Sequence, residues 1–98
     1  MEINKTLKEG TLFIGLKGRL DTITAPSLES ELNAALPGIT ELVLDCTALE
    51  YVSSAGLRVI LAAQKVMNRQ GKMILRNVND AIMEVFEITG FSDLLTIE

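Results

Sequence analysis

Two short apolar runs, Glu41-Leu42-Val43-Leu44-Asp45 and Lys72-Met73-Ile74-Leu75-Arg76, bracket a stretch of helical period. This spacing constrains the fold more than any other feature of the chain. Runs that are continuously apolar in the middle suit central strands covered on both faces, as in a parallel sheet. Between them, from about Ser54 to Arg69, residues Val59, Ile60, Ala63, Val66 and Met67 fall on one arc of a helix, and Gln70-Gly71 ends it. A strand–helix–strand unit of this length requires a crossover, which is right-handed and leaves the two strands parallel.

The remaining elements extend that unit in both directions. Ile3, Lys5 and Leu7 alternate, Lys8-Glu9-Gly10 interrupts, and Leu12, Ile14 and Leu16 alternate again, which predicts an antiparallel hairpin. Gly18-Arg19-Leu20-Asp21 leaves the second strand. Thr24 is the expected cap of a first helix with Pro26 in its opening turn, apolar at Leu28, Leu32, Ala35 and Leu36 and stopped by Pro37-Gly38. Asp80 is the expected cap of a third helix carrying Ile82, Val85, Phe86 and Ile88, with Gly90 as terminator. Leu94-Leu95-Thr96-Ile97 reads as a last strand or a docked tail. The expected fold class is α/β: a mixed, mostly parallel sheet with helices, in the order β-β-α-β-α-β-α-β, forming one domain over residues 1–98.

Composition excludes several functions. A net charge of −4, with nine Lys and Arg spread along the chain, argues against nucleic-acid binding, which needs a cationic face. No window approaches the roughly 18 apolar residues of a spanning helix, and Met1-Glu2-Ile3-Asn4-Lys5 does not open a signal peptide. With Cys46 as the single cysteine, the cytoplasm is the expected compartment. The chain has no histidine, so it lacks the usual general base and the commonest metal ligand. A Ser-His-Asp hydrolase is excluded, and a zinc centre is not expected. Without a phosphate-binding glycine loop, a nucleotide-binding or hydrolytic enzyme is also disfavoured. The expectation is a binding protein with no cofactor or metal; nothing in the sequence demands more than a monomer.

The chemistry concentrates at Leu49-Glu50-Tyr51-Val52-Ser53-Ser54-Ala55-Gly56-Leu57-Arg58, where a strand gives way to a helix. A hydroxyl at a helix start can cap the helix, bind an anion or accept a phosphate. At about 100° per residue, Ser54, Arg58, Ala62, Lys65 and Arg69 share one polar, basic stripe, whereas Ser53 is rotated toward the apolar side. If Ser53 is the cap, its hydroxyl is occupied and Ser54 is exposed and free to react. A phosphate there would meet the positive end of the helix dipole and Arg58, while its bulk and added charge would disturb any partner packed on that surface. Val52 stands where a hydrolase elbow, G-x-S-x-G, needs its first glycine.

Leu44-Asp45 followed by Tyr51-Val52-Ser53-Ser54-Ala55-Gly56-Leu57-Arg58-Val59-Ile60-Leu61 resembles the signature of bacterial anti-sigma-factor antagonists, the STAS domains. Gly18-Arg19-Leu20-Asp21-Thr22 and Val85-Phe86-Glu87-Ile88-Thr89-Gly90 match the same family pattern, so the resemblance spans the chain. It implies a protein that binds an anti-sigma factor, often itself a serine protein kinase, and so frees a sigma factor for transcription. It further implies inactivation by phosphorylation of one serine, here Ser54, and reversal by a metal-dependent serine phosphatase. Where many members carry Asp before that serine this chain has Ser53, which becomes an alternative acceptor. Other members of the fold serve as accessory subunits of membrane transporter ATPases, and that is the competing expectation.

The expected partner surface around Ser54 comprises Asp21, Glu50, Tyr51, Ser53, Gly56 and Arg58. Asp21 reads equally as a partner contact or as a loop acid beside Thr24. Glu50 and Tyr51 are placed in the loop before the serines. Asp45, at the end of its strand, is expected to brace that loop through backbone N–H groups. Cys46 reads as a small buried hydrophobe.

Overall fold

The computed structural model describes residues 1–98 and contains β1 (Glu2–Lys8), β2 (Thr11–Leu20), α1 (Ala25–Ala35), β3 (Glu41–Val52), α2 (Ser54–Gln70), β4 (Lys72–Arg76) and α3 (Asp80–Thr89), followed by a 3₁₀ turn at Phe91–Asp93. The predicted order holds through α3. β1 and β2 are antiparallel and are joined at Glu9 and Gly10, both at positive φ (51° and 83°), the left-handed pair that a two-residue hairpin turn requires. β2, β3 and β4 are parallel, and the strand order is β1-β2-β3-β4.

That sequential order corrects two expectations. β4 ends the strand order and is not central. Right-handed crossovers between successive neighbours carry every helix to the same face, so β3 is covered by helices on one face only. Leu42 and Leu44 point into the core with Leu28 and Leu32 of α1, Ile60 and Met67 of α2 and Phe86 of α3. Val43 lies on the helix-free face, in register with Phe13 and Ile74, and this row is flanked by the Lys72–Glu41 ion pair at 3.0 Å. Strand order is a property of the whole sheet, which explains why a local run could not reveal it.

The last element is a docked tail. Leu75 and Ile97 form one isolated bridge, with the Leu75 N–H donating to Thr96 O (2.9 Å) and the Glu98 N–H to Leu75 O (2.8 Å). Leu95 buries its side chain in the core, so the tail covers part of the β4 edge without forming a full strand.

Two helix caps also differ from expectation. Asn79, one residue before Asp80, caps α3 by accepting from the Ile82 N–H at 2.9 Å. Thr24 makes no side-chain cap. Its hydroxyl donates to Arg19 O (2.7 Å) and accepts from the Asp21 N–H (2.9 Å).

β3 is longer than expected and carries two irregularities against β2. Pairing passes from Gly15↔Asp45 to Lys17↔Ala48, then from Gly18↔Leu49 to Arg19↔Tyr51, so β3 has one extra residue at each step. Asp45 is therefore mid-strand and remote from the Ser54 loop, correcting its expected position. Its Oδ1 accepts from the Thr47 hydroxyl (2.6 Å), the Thr47 N–H (3.1 Å) and Asn77 Nδ2 (3.1 Å), bracing the first bulge against the β4–α3 loop.

These donors, the Thr47 hydroxyl foremost, hold the Asp45 carboxyl below its ordinary value of 3.8. A carboxylate with a depressed folded pKa stabilises the fold above its unfolded value and loses that contribution as pH falls through the folded one. Asp45→Ala is expected to lower the melting temperature at pH near 7, with the gap to wild type narrowing below about pH 3.8 as the carboxylate is protonated. Thermal unfolding across pH measures it, and a gap that widens in acid contradicts it.

Candidate functional site

The C-terminal ends of β2 and β3 bring the expected site together. Leu20 pairs with Val52, and the Ser53 N–H donates to Leu20 O at 2.8 Å, so the β2–α1 turn and the start of α2 lie side by side. Ser53 is extended (φ −88°, ψ 173°), and its Oγ accepts from the Gly56 N–H at 3.2 Å. The capping role expected of Ser53 is thus observed. Ser54 is the first helical residue, exposed and outside the cap. The two hydroxyls differ in the way their rotation about the helix requires.

Gly56 is buried, and a Cβ there would stand 2.6 Å from Leu20 Cγ and 2.9 Å from Leu20 O. It lets the first turn of α2 press directly on the end of β2. Its place is therefore beneath the expected surface, where it sets the position of Ser54.

Glu50 and Tyr51 lie within β3, because the second bulge prolongs the strand to Val52; the expected loop shrinks to Ser53. Both are exposed. The Arg19 guanidinium lies 4.2 Å from the Tyr51 ring centroid and 3.9 Å from Asp21 Oδ2, so cation–π and ionic contacts hold one side of the site together.

Asp21 builds the turn. Its Oδ1 accepts from the Ile23 N–H and the Thr24 N–H, each at 3.0 Å, and its backbone O accepts from the Ala25 N–H at 2.8 Å. The bond from the Thr24 N–H, more than any other contact, holds the Asp21 carboxyl below its usual 3.8. The observed role of Asp21 is thus to organise the turn that Thr24 was expected to cap.

This turn presents Ile23, which is 85% exposed. Sequence reasoning passed over Ile23 because one apolar residue in a turn has no periodicity; its signal was the β-branched residue between Asp21 and Thr24. A shallow groove of about 200 Å³ runs between the starts of α1 and α2, lined by Thr22, Pro26, Glu29, Ala55 and Arg58 among others. Arg58, Lys65 and Arg69 are exposed along α2 as the helical period predicted. Cys46 is buried, and burial pushes its thiol pKa up to about 12, which suits a packing residue and not a nucleophile. No helix is long and apolar enough to cross a membrane.

A strand end, a capped helix start and an exposed serine on a mixed β-β-α-β-α-β-α sheet define a recognisable module. The STAS domain family model matches residues 2–98, and the chain belongs to that family. It is 36% identical over 99 residues to BtrV of Bordetella bronchiseptica, covering 99% of this chain and 85% of that protein. It is 35% identical over 88 residues to the anti-sigma-B factor antagonist of Listeria monocytogenes, covering 87% of this chain and 76% of the relative. The solved Bacillus cell fate determinant SpoIIAA, in its phosphorylated form, superposes with a TM-score of 0.78 at 19% identity, over 99% of this chain and 91% of that one. The latter likeness establishes the fold.

The Gly56 contact yields a direct test. Gly56→Ala is expected to destabilise the protein by about 1–3 kcal/mol, since the new methyl must displace Leu20 and its backbone. Urea unfolding reads this, and an unchanged midpoint contradicts the close approach.

Proposed function

We propose that this protein is an anti-sigma factor antagonist that binds an anti-sigma factor through the face around Ser54 and is released when that factor, acting as a serine kinase, phosphorylates Ser54. The observation that carries the reading is the division of labour between the serines. Ser53 is engaged by the Gly56 N–H, while Ser54 stands exposed one residue on. In the transfer, Ser54 Oγ bonds the γ-phosphorus of ATP, ADP leaves, and the hydroxyl proton passes to a base of the kinase. A serine phosphatase would restore the hydroxyl. The names of the Listeria relative and the phosphorylated state of the SpoIIAA structure support this reading. The action belongs to the cytoplasm, where transcription occurs.

The physics of the switch is local. A phosphoserine adds about −1.5 to −2 charges. On the first turn of α2 that charge is tolerated by the helix dipole, so the fold survives. A partner seated against Ser54, Tyr51 and Ile23 meets added bulk and a dianion in a surface it must desolvate, and affinity falls. Asp21, Glu50 and Arg58 complete the face, and Ser53 and Gly56 support it from beneath.

Calorimetric titration against the cognate anti-sigma factor tests the proposal. Ser54→Asp is expected to bind at least about tenfold more weakly, a loss of about 1.4 kcal/mol, and Ser54→Ala to bind like wild type but resist phosphorylation. Ile23→Asp is expected to weaken binding by a similar factor at unchanged melting temperature, as its side chain meets solvent in the free protein. Equal affinity of Ser54→Asp and wild type contradicts the switch.

A further inference from the structure

Five of the nine Lys and Arg side chains are held in ion pairs: Lys5–Glu31, Lys17–Glu2, Arg19–Asp21, Lys72–Glu41 and Arg76–Glu98. The four left without one are Lys8, Arg58, Lys65 and Arg69. Lys8 lies beside the hairpin turn, at the opposite end of the sheet from Ser54. The other three form the outer stripe of α2, which begins at Ser54. On an α-helix, Arg58 is one turn from Ser54, about 6 Å along the axis and about 40° around it, whereas Lys65 is about 16 Å away along the axis. Arg58 is thus the uncommitted cation within reach of the Ser54 hydroxyl. It also lines the groove between α1 and α2, which it shares with Glu29 and Ala55.

We propose that Arg58 holds the phosphate on Ser54 and that this contact withdraws the guanidinium from the groove it lines. The inference rests on the reading that Ser54 is the phosphoacceptor and adds the means by which the modification is sensed. A guanidinium matches phosphate oxygens with two parallel N–H donors, an arrangement stronger than a single contact to a carboxylate. The residue at i+4 on a helix is sterically placed to make it. Before modification, the groove is lined by Arg58 from α2 and Glu29 from α1, together with the apolar Pro26 and Ala55. After modification, Arg58 neutralises part of the phosphate and Glu29 remains as the charge of the groove. The partner surface that fits the unmodified groove carries an acidic group facing Arg58. Phosphorylation therefore acts twice on that partner, by adding a dianion and by removing the cation it pairs with.

The test uses the full chain with phosphoserine installed at position 54 by genetic encoding, and follows the phosphate by phosphorus NMR from about pH 4.5 to 8. A free phosphoserine titrates near 6. Arg58 favours the dianion, so the phosphate is expected to titrate about half a unit lower in the wild-type chain than in Arg58→Gln. Arg58→Lys is expected to fall between them, and Lys65→Gln to match wild type. Asp21, Glu29 and Glu50 from the neighbouring elements, and the cation Arg19, are common to all four proteins, so the difference isolates Arg58. Arg58 is exposed, and the substitution leaves the core untouched. Coincident titrations of wild type and Arg58→Gln overturn the clamp, as does a shift in Lys65→Gln equal to that in Arg58→Gln. Either result leaves the switch reading standing; that reading fails separately if the anti-sigma factor binds the phosphorylated and unmodified chains alike.

Discussion

The site depends on the parallel pairing of β2 with β3 and on the two extra residues that β3 accommodates along it. Those residues carry the pairing on to Leu20↔Val52, which delivers the Ser53 N–H to Leu20 O and sets α2 against the end of β2. Without them the Thr11↔Glu41 register would set Arg19 opposite Leu49 instead of Tyr51, and the aromatic contact between Arg19 and Tyr51 would lose the pairing that supports it. Gly56 then allows an approach that any side chain would prevent. The exposed position of Ser54 follows from backbone geometry fixed by the sheet.

The surface around Ser54 is rigid on one side and adaptable on the other. Asp21, Thr24 and the Arg19 carbonyl tie the β2–α1 turn into a closed set of hydrogen bonds, so Ile23 is presented at little entropic cost on binding. Arg58, by contrast, is a long side chain outside any ion pair and can answer a change in local charge. An exposed apolar side chain on a hydrogen-bonded turn and an unpaired cation one helical turn from Ser54 suit a surface whose affinity is altered by one modification. The core beneath it packs elsewhere, with Ile60, Met67 and Phe86 buried while Ser54 is exposed.

Much of this was legible in the sequence where local physics decides. The order of elements through α3, the hairpin and the split between Ser53 and Ser54 all follow from periodicity, turn chemistry and rotation about a helix. The misses share a different cause. Strand order placed β4 at one end and left β3 with one helix-free face, and no single run encodes that. The bulges moved Glu50 and Tyr51 into a strand through pairing with residues some thirty positions earlier. The caps at Asn79 and the turn at Asp21 compete with near neighbours, Asp80 and Thr24, of equal intrinsic aptitude. Membership of the family was carried by the Tyr51–Leu61 motif, yet the exposure of Ile23 needed the turn geometry to be seen.

Modification of Ser54, as proposed, changes a surface and leaves the fold in place. Comparison of the ¹H–¹⁵N correlation spectra of the unmodified and Ser54-phosphorylated chains tests it most directly. Shifts are expected only in the β2–α1 turn, Tyr51 to Arg58 and the facing side of α1, with β1, β4 and α3 unmoved. Shifts spread through the sheet and α3, or a loss of dispersion, would show that the phosphate acts by unsettling the core, and would contradict it.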